Sequence, residues 1–117
     1  FDARAVKGAG LRTEAYESAS PEELRSRIED GNVTVVDVRA ATEYREGHIP
    51  GAEHKFVGKL LREMNGVERS KPVIIHCLGG ERAAIAASVL QRAGYDVVDM
   101  NGGYRAWAAA GYPIERN

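Results

Sequence analysis

The most constraining stretch of this chain runs from Val73 to Ser88, Val-Ile-Ile-His-Cys-Leu-Gly-Gly-Glu-Arg-Ala-Ala-Ile-Ala-Ala-Ser. The β-branched residues 73–75, introduced by Lys71-Pro72, predict a buried strand. Alanines with Ile85, Val89 and Leu90, stopped by Gly94, predict a helix. A short loop bearing two glycines joins them, and Cys77 sits where strand becomes loop. In α/β sheets, ligands bind beyond the carboxyl ends of strands, beside the amino terminus of the next helix.

A cysteine at that junction meets free backbone N–H groups and the positive end of a helix dipole, which favour thiolate over thiol. Gly79 and Gly80 allow the backbone to curl so that consecutive amides face one point around the sulfur. Arg82 adds a permanent positive charge at the far end of the loop. The competing reading is an inert small hydrophobe closing a core strand. The loop that follows tips the balance toward a reactive thiolate.

With 117 residues the chain fits one domain with a proper core. A net charge of −1 gives no basic surface for nucleic acid or anionic membrane. Neither a transmembrane run nor a signal peptide is visible. A single cysteine excludes an internal disulfide and a dithiol cycle, and suits a reducing, cytoplasmic setting. His48, His54 and His76 share no metal-ligand spacing, so no metal or other cofactor is expected.

The chain opens on Phe1 rather than methionine and is expected to be a piece of a longer one. Residues 1–8 also echo 104–111, with aromatic, charged, alanine and terminal glycine falling in step. That echo fits either chance similarity of alanine-rich turns or the tail of a preceding homologous repeat. Residues 1–17 are accordingly read as an N-terminal extension and 18–117 as the domain.

Ser20 as N-cap, Pro21 and Glu22-Glu23 begin a helix with Leu24 and Ile28 on its apolar side, ended by Gly31-Asn32. Residues 33–38 form a strand apolar enough for burial on both faces. Asp37 and Arg39, at its end, are expected to form a local ion pair or a cap holding the next segment rather than to do chemistry. Residues 42–47 read as a short helix capped by Gly47, and Pro50-Gly51 as the centre of a type II turn. His48 braces that turn through backbone hydrogen bonds. A second helix is expected over 57–64, buried through Leu60, Leu61 and Met64. A strand follows at 97–100, then a turn at Asn101-Gly102-Gly103 and a closing helix with Trp107 in the core. Strands alternating with helices argue a parallel sheet covered on both faces.

Several of these pieces together resemble a rhodanese domain. They are Asp37-Val38-Arg39, the run Glu43-Tyr44-Arg45-Glu46-Gly47-His48-Ile49-Pro50-Gly51-Ala52, the loop Cys77 to Arg82, and Gly102-Gly103-Tyr104-Arg105-Ala106-Trp107. The resemblance covers about residues 18–115. It implies a rhodanese-like α/β fold, with a central five-stranded, mainly parallel sheet and helices on both faces. It also implies sulfurtransferase activity through a Cys77 persulfide, with Leu78, Gly79, Gly80, Glu81 and Arg82 binding substrate. The loop is most similar to those of rhodanese domains fused to metallo-β-lactamase-fold persulfide dioxygenases. The implied partners are a small-molecule sulfur donor (thiosulfate or a low-molecular-weight persulfide), a nucleophilic acceptor, and a covalently fused metallo-β-lactamase-fold domain in the full-length protein.

Two other classes stay open at this level. Cysteine-dependent phosphatases and arsenate reductases related to this fold carry one residue more between Cys and Arg than the four found here. Glu81 also opposes a phosphate in the cradle. A non-catalytic regulatory module is the third class, although Cys77, Gly80 and Arg82 are all retained. Arg82 itself has two candidate roles, contacting an anionic donor or tying the loop to the sheet.

Overall fold

The computed structural model describes residues 17–62, 67 and 69–116. The echo in residues 1–8, the end of the helix expected over 57–64 including Met64, and the side chain of Leu61 lie outside this description.

In chain order the elements are β1 (Glu17–Ala19), α1 (Pro21–Glu29), β2 (Thr34–Asp37), α2 (Ala41–Glu46) and β3 (Glu53–His54). There follow α3 (Val57–Arg62), β4 (Val73–His76), α4 (Glu81–Arg92), β5 (Val97–Met100) and α5 (Gly103–Ala109). The strands form one five-stranded sheet in the order β1-β5-β4-β2-β3, and every pairing is parallel. All four residues of β2 and of β4 are buried, as central parallel strands require.

Alternation along the strands divides the core in two. Val36, Val73, Ile75, Cys77 and Val97 face α3 and α4, packing on Leu60, Ala83, Ala86, Ala87 and Leu90. Val35, Ile74, Val98 and Met100 face α1 and α5, meeting Leu24 and Trp107. Helix α4 thus buries an alanine stripe that lets it lie close to the sheet. Ile85, expected to help define its apolar side, is instead 57% exposed.

Local signals account for most of the termini. Ser20 caps α1, accepting from the Glu23 amide at 3.2 Å while the Glu23 carboxylate accepts from the Ser20 amide at 3.0 Å. The Pro50-Gly51 turn closes with the Ala52 amide donating to Ile49 O at 3.0 Å. Gly47 does end α2, but in extended backbone with φ 164 rather than in a left-handed cap. The edge strands β1 and β3 span three and two residues, too short for any periodicity to announce them.

Candidate active site

Cys77 leaves the sheet at the carboxyl end of β4, its side chain directed toward the α3–α4 side and only 1% exposed. The Gly80 amide donates to Cys77 Sγ at 3.0 Å. Gly80 adopts φ 129 at the N-cap of α4, a conformation that side chains oppose, and this aims its N–H back at the sulfur. The loop amides of Leu78, Gly79, Glu81 and Arg82 have no acceptor among the described residues. Unpaired N–H groups at the start of a twelve-residue helix favour negative charge placed above them.

Arg82 makes its closest bonds to Glu43, with the Cys77 sulfur also within its reach. Its Nη1 donates to Glu43 Oε1 at 2.9 Å and its Nη2 to Glu43 Oε2 at 3.3 Å, a two-pronged pair between α4 and α2. The bond to Arg82 holds the Glu43 carboxyl below its ordinary range, and Glu43 in turn raises the guanidinium, with Cys77 adding to the same direction. Arg82 therefore ties the loop to α2, not to the sheet. Glu43 also accepts from the Ala40 amide at 2.9 Å, which starts its own helix.

From below, α5 holds the loop in place. The Tyr104 amide donates to Cys77 O at 2.8 Å and the Arg105 amide to Leu78 O at 3.1 Å. This contact depends on Gly103. A Cβ there would stand 2.5 Å from Cys77 O and 2.7 Å from Leu78 O, closer than any side chain tolerates.

Beside the loop lies a buried polar cluster. Asp37 accepts from Arg39 Nε at 3.0 Å and from Nη2 at 2.7 Å, and Arg39 Nη2 also reaches Gly47 O at 2.7 Å. The Arg39 guanidinium stacks on Tyr104, 4.0 Å from the ring centre. His48 braces the neighbouring turn as expected, with Nδ1 2.7 Å from Tyr44 O and its backbone paired to Glu115. His76 is wholly buried. Its Nδ1 lies 3.2 Å from Cys77 O, whereas Nε2 has no hydrogen-bond partner among the described residues and stands 3.7 Å from Asp37 Oδ2. Burial lowers the His76 pKa, against the opposing pull of Asp37. A cavity of about 290 Å³, walled by Arg39, Glu43, Glu46, Gly47, Leu78 and Tyr104, opens between this cluster and the loop.

The rhodanese-like domain family matches residues 20–110. The chain belongs to that family. Among solved structures it is similar to a rhodanese-related protein of Thermoplasma volcanium, at 30% identity over 87% of this chain and 100% of that one, TM-score 0.82. The rhodanese-like domain of an Anabaena protein matches at 32% identity over 88% and 81% of the two chains, TM-score 0.77. A thiosulfate sulfurtransferase of Pseudomonas aeruginosa is 28% identical, TM-score 0.76, with 97% of this chain aligned to 22% of that one.

In this rhodanese domain the six residues expected at the site, Cys77, Leu78, Gly79, Gly80, Glu81 and Arg82, form one continuous loop and helix start. Leu78 lines the cavity, Gly79 and Glu81 are exposed, and Gly80 contacts the sulfur. Sequence reasoning had assigned no part to Glu43, Gly103 or Arg105. Glu43 lies 39 positions from Arg82, so no local pattern links them. The paired glycines ahead of α5 were the one available signal for Gly103, and they read as an ordinary turn.

Proposed function

We propose that this domain is a sulfurtransferase that carries a sulfane sulfur on Cys77. The observation that supports it most is the Gly80 N–H on Cys77 Sγ beneath a loop whose remaining amides are unoccupied. The Cys77 thiolate attacks the outer sulfur of a donor such as thiosulfate, and the S–S bond of the donor breaks. Sulfite leaves with the bonding pair, and Cys77 is left as a persulfide with one negative charge. That charge moves outward by one sulfur, into reach of the free loop amides. A nucleophile (a thiol, cyanide or sulfite) then takes the outer sulfur and returns the thiolate, so no external oxidant or reductant enters.

The likeness of the loop to those fused to persulfide dioxygenases makes a low-molecular-weight persulfide the second donor to test. Phosphoryl transfer fits less well, because the short loop is combined with an Arg82 already paired to Glu43. One observation favours a non-catalytic module: Cys77 is 1% exposed. Its sulfur nevertheless touches the loop through the Gly80 amide.

Incubation with thiosulfate, and separately with glutathione persulfide, followed by intact-mass measurement separates these readings. Wild type gains one sulfur atom and Cys77→Ser gains none. Uptake from neither donor rejects sulfur transfer in favour of the binding module. Phosphate release from an aryl phosphate without sulfur uptake rejects it in favour of a phosphatase.

A further inference from the structure

Two guanidinium groups stand close to the Cys77 loop, and they are not equivalent. Arg82 is held by both oxygens of Glu43, with the Cys77 sulfur also within its reach. Arg105 is exposed and has no ion-pair or hydrogen-bond partner for its side chain among the described residues. Its backbone amide is fixed to Leu78 O, which anchors the residue against the loop. Its Nη1 reaches within 3.8 Å of the point where a Cβ on Gly79 would stand, at the exposed crest beside the free amides. A cation that close to the loop adds to the attraction of its N–H groups for an anion without displacing any existing pair.

We infer that Arg105, and not Arg82, is the residue that holds the anionic group of the sulfur donor. The inference rests on the sulfurtransferase reading and specifies its binding determinant. Glu81 refines it. Its Oε1 stands 3.5 Å from the same Gly79 position, so a carboxylate and a guanidinium share the crest. A donor whose charge is separated from the transferred sulfur by a carbon chain places its carboxylate on Arg105 and clear of Glu81. Thiosulfate, with its sulfonate one bond from that sulfur, must hold its charge nearer the Glu81 carboxylate. Both donors offer an anion to Arg105, and the carboxylate-bearing persulfide suits the arrangement better.

Steady-state kinetics of wild type, Arg105→Gln and Arg105→Lys with three donors test this. The donors are thiosulfate, glutathione persulfide and 2-hydroxyethyl persulfide, the last with no anionic group apart from the reacting persulfide. Arg105→Gln is expected to raise KM for both anionic donors roughly tenfold, the low end for loss of a bond to a charged group. Its kcat stays within about twofold, and KM for 2-hydroxyethyl persulfide does not move. Arg105→Lys recovers most of the loss, and the salt dependence of KM seen in wild type flattens in Arg105→Gln. Unaltered KM for the anionic donors, in a variant that still transfers sulfur, overturns the assignment alone. An equal rise for all three donors shows a structural role and overturns it too. A wild type inactive with every donor overturns the sulfurtransferase reading, and this inference with it.

Discussion

At the carboxyl end of the sheet two polar regions lie side by side, and they differ in how their groups are used. Around Asp37, Arg39, Tyr44 and His48 nearly every donor and acceptor is occupied: carboxylate by guanidinium, guanidinium by carbonyl and ring, imidazole by carbonyl. Across the Cys77 loop, amides lack acceptors and Arg105 lacks a counter-ion among the described residues. A buried polar group left unsatisfied costs stability, so a satisfied cluster belongs to the scaffold. Polar groups left open at a surface are free to bind. The contrast supports the proposal that Asp37 and Arg39 serve the architecture and the loop serves the chemistry.

Substitution at Asp37 probes the contrast hardest. Asp37→Ala leaves the Arg39 charge 3% exposed without its carboxylate, and is expected to cost on the order of 3–5 kcal/mol in denaturant unfolding. Sulfur uptake by whatever remains folded should persist; its loss without unfolding would move Asp37 into the chemistry. Gly103→Ala comes next. A Cβ at that position collides with two carbonyls at φ 60, so a loss of roughly 1–3 kcal/mol is expected. Sulfur-uptake rate should fall at least about tenfold, because a small misplacement of a reacting group is costly. If stability falls but the rate holds, the clamp does not position the loop.

The smallest effect concerns His76, the one member of the scaffold cluster with an unpartnered nitrogen. Its folded pKa lies below the ordinary value of 6.5, so the unfolded chain binds the proton more readily. Its contribution to stability is therefore full above about pH 6.5 and is lost as pH falls from there through the lowered folded value. Thermal unfolding across pH 4.5–8, a window of roughly two units either side of the histidine value, should show wild type losing Tm on acidification more steeply than His76→Gln. Parallel curves would show that Asp37 compensates the buried imidazolium.

Legibility followed sequence distance. The β4–loop–α4 unit could be read because β-branched residues, paired glycines and alanines lie consecutively. Asp37 and Arg39 are two positions apart, and their pairing was foreseen for that reason. Trp107 was rightly placed in the core, where it is 2% exposed and donates to Pro113 O at 2.8 Å. The Glu43–Arg82 pair, the α5 clamp and the setting of Arg105 all join segments far apart in the chain. Such contacts are decided by how helices settle on the sheet, which no window of residues records. The edge strands escaped notice for the opposite reason: each is shorter than one repeat of any pattern.

The clamp of α5 on consecutive carbonyls also bears on how the loop could change. Inserting a residue between Cys77 and Arg82 would enlarge the ring toward a tetrahedral guest. It would also carry the Leu78 carbonyl off the Arg105 amide, or drag Arg82 away from Glu43. Ring size in this domain is thus metered by two helices gripping opposite rims, and remodelling it for a bulkier group requires resetting both grips together.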